Sequence, residues 1–264
     1  MTPGNGAPTL TVPAAYNGPD GSGNGGYSAG LLAARLTGPG GPTVQVTLRS
    51  PPPLDRPLLV EDAPGGGLLL VDPASTDPAS ADRARPVAEA VVADPLDPDL
   101  IPGGPVGADE AREARQRYAG LVEHPFPRCY SCGPERAEGD GLRLFAGSVR
   151  PGGGPDGVGN TVACPWHVRP ETDGGDGTAA LAQVWAALDC PGGWSSDVVG
   201  RPIVLGRITA RVLAAPAVGS TAVVMGHLES VDGRKVHTLS ALHDGDGRPL
   251  AVARATWIAI RTRG

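Results

Sequence analysis

Asp189 is the carboxylate that the sequence places best for chemistry. It follows an apolar stretch, residues 179–188, whose composition predicts a helix buried in the core. Burying a charged carboxylate is costly unless the group is paired or used, so an aspartate here is a candidate general base. The alternative is a solvated aspartate near the end of the helix, where its charge would oppose the helix dipole.

The segment from Asn24 to Tyr27 is a second candidate, at the start of a predicted helix. The first amides of a helix lack partners within it and the dipole is positive there, so they can bind an oxygen that gains negative charge. Gly25 and Gly26 would let a ligand approach the backbone closely, and Asn24 could cap the helix or hold the ligand's carbonyl. The alternative is that these residues form only a tight turn from strand to helix.

His124, Cys129 and Cys132 form a third candidate site. A Cys-x-x-Cys pair with a preceding histidine could supply three zinc ligands, and Cys164 or Cys190 could complete a closed, structural site. The alternative is a turn that carries two partly buried thiols. A redox dithiol is less expected, because no thioredoxin-like pattern surrounds the pair.

The elements that must position these residues occur in the same order twice, over residues 25–94 and again over 178–260. Each half has one helix of small residues, at 25–36 and 178–190, followed by several strands. Strands are predicted at 8–16, 43–50, 57–62, 67–72, 86–93, 142–149, 160–165, 202–213, 220–231, 234–243 and 249–261. The stretch 73–85 is predicted to be a loop.

One apolar helix against a curved antiparallel sheet buries both apolar faces, and two such sheets joined edge to edge have fewer exposed edge strands. The sequence therefore predicts an α+β fold of two tandem units, residues 1–94 and 142–264. Residues 95–141 are predicted to be a linker, with a surface helix at about 109–121 and the Cys-x-x-Cys segment.

The two halves are complementary at the candidate site. Leu36 in the first half matches Asp189 in the second, whereas the Asn24-Gly25-Gly26 segment has no clear match in the second half. The helix start of one half and the carboxylate of the other therefore predict a single site between the units.

Composition restricts the classes of partner. The 264 residues suffice for two domains of about 100–130 residues. The net charge of −6, without a basic run, argues against nucleic acid or an anionic membrane as the main partner. No segment approaches the ~20 apolar residues of a spanning helix, and no signal peptide is visible, so we expect a cytoplasmic protein with reduced cysteines.

At these motifs the chain resembles a known family. Asn24-Gly25-Gly26-Tyr27, followed by Ser-Ala-Gly-Leu-Leu, resembles the first-helix signature of double-hotdog (type II) acyl-CoA thioesterases. Residues 186–189, with the strands behind them, resemble the second-half helix of that group and of phenylacetate-pathway-like thioesterases. The resemblance implies a double hotdog that hydrolyses an acyl-CoA or acyl-carrier thioester between its units. Asp189 would be the catalytic acid–base residue, and no cofactor would be required.

The resemblance also suggests roles in binding. The amides near Gly26 and Tyr27 would bind the oxyanion, with Gly25 beside the thioester. Trp185 and Trp194 could line an acyl pocket, although tryptophan is more often a core residue. Arg207 could meet the phosphates of coenzyme A, although scattered arginines are more often solvated or paired. The fold would also allow two double units to form a homodimer.

The chain departs from the family beside Asp189. The double-hotdog enzymes use a threonine and a glutamine there, where the alignment places Gly206 and Thr256, with Thr209 close by. This departure leaves open a non-catalytic protein that binds acyl-CoA or a related acyl ligand. A hydratase of the same fold is a weaker alternative, because its usual Asp and His pair, five residues apart, does not precede the second helix.

Overall fold

The computed structural model describes residues 8–77 and 80–260, which form one eleven-stranded antiparallel sheet and three α-helices. The helices are α1 (Gly25–Ala33), α2 (Ala108–Ala114) and α3 (Leu181–Trp194). The strands are β1 (Thr9–Leu10), β2 (Val44–Leu48), β3 (Leu58–Asp62), β4 (Leu68–Asp77), β5 (Ser80–Val92), β6 (Gly147–Arg150), β7 (Thr161–His167), β8 (Ile203–Val212), β9 (Thr221–Asp232), β10 (Lys235–His243) and β11 (Pro249–Ala259). The α+β class predicted from the sequence is confirmed.

The order of the strands repeats on the two sides of the sheet. Across the sheet it is β1-β3-β4-β5-β2-β8-β11-β10-β9-β7-β6, so β2 and β8 form the junction between the first and second halves of the chain. Val46 of β2 lies opposite Ile208 of β8 in this antiparallel pair, and both are buried. Outward from the junction, β2-β5-β4-β3-β1 corresponds to β8-β11-β10-β9-β7. The repeated order of elements in the sequence is therefore a repeated strand order in space.

Helices α1 and α3 lie against each other, and two glycines of α1 set their separation. A Cβ atom on Gly26 would lie 2.5 Å from the Cβ of Asp189, and one on Gly30 would lie 2.7 Å from the Cα of Ala182. Real Cβ atoms do not approach other atoms so closely, so the helices touch through glycine backbone. This close contact brings the start of α1 to the later turns of α3.

Helix α3 is longer than the sequence predicts. It continues past Pro191 to Trp194, although proline lacks an N–H and usually ends a helix. Gly226 of β9 leaves room for the end of the helix, because a Cβ at this position would lie 2.0 Å from the carbonyl oxygen of Pro191. Asp189 consequently lies inside the helix with 2 % of its surface exposed, and the alternative of a solvated aspartate near the helix end is wrong.

Some predicted boundaries are also corrected. The stretch 73–85, predicted as a loop, belongs mainly to the hairpin of β4 and β5, in which Asp72 lies opposite Arg85; residues 78 and 79 lie outside the described part. The first strand is only Thr9–Leu10 and the predicted helix at 109–121 ends at Ala114, in both cases followed by 3-10 turns. No helix within the described residues combines the length and apolarity needed to cross a bilayer.

Candidate functional site

The carboxylate of Asp189 is held by the start of α1. Its Oδ2 accepts a hydrogen bond from the backbone amide of Gly26 (2.9 Å) and another from Nδ2 of Asn24 (3.0 Å). Asn24, which is 1 % exposed, also caps α1, because its Oδ1 accepts from the amide of Tyr27 (2.8 Å). One asparagine thus fixes both the first turn of α1 and the carboxylate of α3.

Burial dominates the electrostatics of this carboxylate. Desolvation raises the pKa of Asp189 to about 7, against the lowering effect of the hydrogen bonds from Gly26 and Asn24. Its second oxygen, Oδ1, is buried and has no hydrogen-bond partner among the described residues. Since a buried oxygen without a partner is costly, Oδ1 is available for a polar group that enters the site.

Asp189 lies in the wall of a cavity of about 580 Å³ between the two halves of the chain. The first half contributes residues around 18–25 and 48–52. The linker of residues 95–141, called the connector from here on, contributes residues around 124–132, and the second half contributes the rest. The walls are mainly apolar, with Trp194, Ile203, Leu205 and Trp257 among them. A mainly apolar cavity with a few polar groups at one place is typical of a small-molecule site.

The amides that the sequence predicts as free donors are already occupied. The amide of Gly26 donates to Asp189 and that of Tyr27 donates to Asn24, and neither residue lines the cavity. Gly25 does line it, and no acceptor for its amide is found among the described residues. The unpaired donor of α1 that adjoins the cavity is therefore the amide of Gly25.

Trp185 and Arg207, predicted to bind substrate, do not line the cavity. Trp185 is 1 % exposed and lies under Gly30 of α1, whereas Arg207 is exposed and donates to the hydroxyl of Thr47 (3.0 Å). Trp194, near the end of α3, is the tryptophan of this helix that lines the cavity.

Arg49 is a cationic residue of the cavity wall. It directly follows β2, has about half of its side chain exposed and pairs with Glu89 (2.6 Å). No sequence signal distinguishes it from the other arginines, because its place depends on how β2 meets the second half of the chain.

In the part of the chain that the structure describes, no threonine or glutamine side chain forms a hydrogen bond with the carboxylate of Asp189. Gly206 lines the cavity but has no side chain, and the hydroxyl of Thr256 contacts Nδ1 of His237 (3.3 Å). The hydroxyl of Thr209 donates to the side chain of Gln45 (3.5 Å). Among the described residues, the direct hydrogen-bond partners of Asp189 are those of the α1 start.

The Cys-x-x-Cys segment packs on α3 next to Asp189. The Sγ atoms of Cys129, Cys132 and Cys190 lie within 4.8 Å of one another, and all three residues are buried and line the cavity. His124 is not in this group, although its Nε2 lies 3.4 Å from the Sγ of Cys132. The neighbouring thiols of Cys132 and Cys190 hold the pKa of Cys129 well below its usual range. Cys164 is buried in β7, outside the group.

Further contacts, which the sequence analysis missed, fix this connector on the helix. The hydroxyl of Tyr130 donates to Oε1 of Gln183 (2.6 Å) and that of Ser131 donates to the carbonyl of Ala186 (2.9 Å). Within the connector itself, Tyr118 donates to the carbonyl of Cys132 (3.1 Å). The connector is thus part of the core.

Comparison with known proteins identifies the fold. No protein-family model matches the sequence, and neither does any curated protein. Among solved structures, a protein of unknown function with the hotdog fold from Alicyclobacillus acidocaldarius is similar, with a TM-score of 0.58 and 14% identity over 99% of this chain and 96% of that chain. A proposed thioesterase II from Thermobifida fusca YX has a TM-score of 0.57 and 16% identity, over 96% and 92%. The tesB protein of Mycobacterium avium subs. paratuberculosis has a TM-score of 0.54 and 14% identity, over 96% and 91%. The chain therefore has the hotdog fold.

Proposed function

We propose that the chain is a double hotdog, with units at residues 1–94 and 142–264, that hydrolyses an acyl-CoA or acyl-carrier thioester. The observation that carries the proposal is the hydrogen bond from the Gly26 amide to Asp189 (2.9 Å), which joins the helix start of one half to the carboxylate of the other at the cavity wall. The repeated strand order on both sides of the β2–β8 junction supports the double arrangement. Two of the similar solved structures are described as proposed thioesterases, which agrees with this function.

In the proposed reaction, Asp189 acts as the general base on a water molecule. The unpartnered Oδ1 takes a proton from the water, while the oxygen of that water forms a bond to the thioester carbonyl carbon. The negative charge that develops on the carbonyl oxygen is stabilised by the amide of Gly25, at the positive end of α1. The carbon–sulfur bond then breaks, and the proton on Asp189 passes to the leaving sulfur, which yields a carboxylic acid and a free thiol.

The shape of the cavity fits an acyl thioester. Its apolar wall, with Ile203, Leu205 and Trp257, would hold the acyl chain by burying its surface. Its volume of about 580 Å³ is in the range of small-molecule sites. Arg49, half exposed at the wall, is the cation placed to meet the phosphates of a carrier.

The second candidate is a protein that binds an acyl thioester without cleaving it. The observation in its favour is that neither Gly206 nor Thr256 supplies the polar partner that the family has beside its aspartate. Water would then be oriented by Asp189 alone. The two candidates share the cavity and the ligand class and differ only in turnover.

Thiol release from a panel of acyl-CoA thioesters of increasing chain length, measured together with binding by calorimetry, separates the two candidates. We expect saturable thiol release for at least one acyl length, because a buried carboxylate and an unpaired helix amide adjoin one cavity. Binding without thiol release on every substrate would favour the ligand-binding protein. Neither binding nor release, including with an acyl-carrier substrate, would contradict both.

Replacing Asn24 separates its two hydrogen bonds. Serine can still cap α1 but cannot donate to Asp189 as the amide does, whereas alanine does neither. We expect Asn24→Ser and Asn24→Ala to lower kcat to a similar extent, and only Asn24→Ala to lose an additional free energy of unfolding of about 1 kcal/mol. Steady-state thiol release and chemical denaturation measure the two effects. Wild-type kcat in both variants would show that the contact with Asp189 is not needed for turnover.

A further inference from the structure

Three buried sulfur atoms meet at one point in the fold. Cys129 and Cys132 come from the connector and Cys190 from α3, and their Sγ atoms lie within 4.8 Å of one another. The Sγ atoms of Cys129 and Cys190, which are 61 residues apart in sequence, are separated by 3.6 Å. All three cysteines are free thiols.

These separations match those of sulfur ligands around one zinc ion. With zinc–sulfur bonds of about 2.3 Å at tetrahedral angles, two ligand sulfurs are about 3.8 Å apart. The pair Cys129 and Cys190 is already at this distance, and Cys132 needs only a small side-chain adjustment. Thiolate is also the ligand type that zinc and other soft metal ions prefer.

The surroundings of the sulfurs supply hydrogen-bond donors. Nδ2 of Asn24 lies 3.7 Å from the Sγ of Cys129 and 3.9 Å from the Sγ of Cys190. Donors around a metal-bound thiolate offset part of its negative charge and fix its orientation. The turn is tight, because a Cβ on Gly133 would lie 2.6 Å from the amide nitrogen of Cys129.

His124 has a different place from the one its sequence position predicts. Its Nδ1 accepts a hydrogen bond from the amide of Phe126 (2.9 Å), so in the neutral ring Nε2 carries the proton. That Nε2 lies 3.4 Å from the Sγ of Cys132 and can donate to it. In this tautomer, the histidine supports the sulfur of Cys132 through a hydrogen bond from Nε2.

We propose that Cys129, Cys132 and Cys190 bind one zinc ion as thiolates, with His124 donating a hydrogen bond to the Cys132 sulfur. All three cysteines also line the cavity, so the site leaves a fourth ligand position for a group that these residues do not supply. The ion ties the connector to α3 at the residue after Asp189, and so fixes the position of the carboxylate. This inference does not depend on turnover of any substrate.

The test is the zinc content of the full-length protein, purified under reducing conditions from a zinc-supplemented medium, by plasma mass spectrometry. We expect about one zinc ion per chain, and after exchange with Co²⁺ the thiolate-to-cobalt charge-transfer bands of a sulfur-rich tetrahedral site. Cys132→Ser and Cys190→Ser should lose the metal. Cys164→Ser is the matched control, because this buried thiol lies outside the group, and it should keep the metal.

His124→Ala tests the supporting role of the histidine. Loss of a hydrogen bond to a ligand typically weakens metal affinity by about 10- to 100-fold, so the variant should still bind zinc in a chelator competition. Loss of binding as complete as in Cys132→Ser would overturn the role assigned to His124. Wild-type protein in which Cys129, Cys132 and Cys190 are free thiols or form a disulfide, with no zinc and no cobalt–thiolate bands, would overturn the metal site itself, whether or not the serine variants fold.

Discussion

Asp189→Asn should reduce kcat for thioester hydrolysis by at least about 100-fold, because general-base catalysis contributes about 10²–10⁴-fold and an amide cannot accept the proton. The substitution is nearly isosteric, and the amide oxygen can still accept from the Gly26 amide at the position that Oδ2 occupies. Binding of the acyl thioester should therefore change little. Steady-state thiol release and calorimetric binding measured on the same preparation check both parts.

Asp72→Asn is the matched control for the loss of a buried carboxylate. Asp72 is 3 % exposed and pairs with Arg56, but it does not line the cavity. Its replacement should lower the free energy of unfolding, because it leaves Arg56 without its charged partner, while kcat remains at the wild-type value. Undiminished turnover in Asp189→Asn would remove the general-base role from Asp189, whereas an equal loss in Asp72→Asn would trace the effect to stability.

The two parts of the candidate site, and that they meet between the halves of the chain, could be predicted from sequence, but the direct hydrogen bond between them could not. A single carboxylate after an apolar stretch singles out Asp189, and Asn-Gly-Gly before small apolar residues singles out the start of α1. The Gly26 amide donates to Asp189 and so is not free to bind a ligand. This depends on how closely two helices approach each other at residues that are 163 positions apart in sequence. Local pattern carries no information on that distance.

The end of α3 shows why a local signal was misleading. Pro191-Gly192-Gly193 is a strong helix terminator by propensity. In the fold the same residues allow close contact: Gly226 of β9 leaves room for the Pro191 carbonyl, and a Cβ on Gly192 would lie 2.6 Å from the hydroxyl of Ser240. Tertiary packing therefore outweighs propensity here, and it carries the helix on to Trp194, which lines the cavity.

For the cysteines too, the sequence identifies candidate residues, whereas the fold determines which of them meet. The spacing of Cys129 and Cys132 makes them candidate ligands, and Cys164 and Cys190 are equal alternatives for a further ligand by sequence alone. Only the packing of the connector on α3, through Tyr130 and Ser131, brings the sulfur of Cys190 to that of Cys129. A long-range choice of this kind needs the fold.

Gly26→Ala should combine a loss of stability with a loss of catalysis, although it keeps the backbone amide that donates to Asp189. The new Cβ would lie 2.5 Å from the Cβ of Asp189 and 2.6 Å from the carbonyl oxygen of Trp185. Overpacking of this kind typically costs about 1–3 kcal/mol in the free energy of unfolding. To relieve the clash the helices must separate, which displaces Asp189 from the amides that hold it. A displacement near 1 Å costs about 100-fold in rate, and we expect a loss in kcat of this order.

Gly30→Ala separates the two effects, because it clashes one turn further along the same helix contact. Its Cβ would lie 2.7 Å from the Cα of Ala182 and 2.8 Å from the Cβ of Trp185, neither of which lines the cavity. Denaturation should therefore show a similar loss of stability for the two variants, while thiol release shows a much smaller loss of kcat for Gly30→Ala. Wild-type kcat in Gly26→Ala would mean that the amide alone matters at this position. Equal losses of kcat in both variants would mean that general loosening of the α1–α3 contact, and not the place of Asp189, limits turnover.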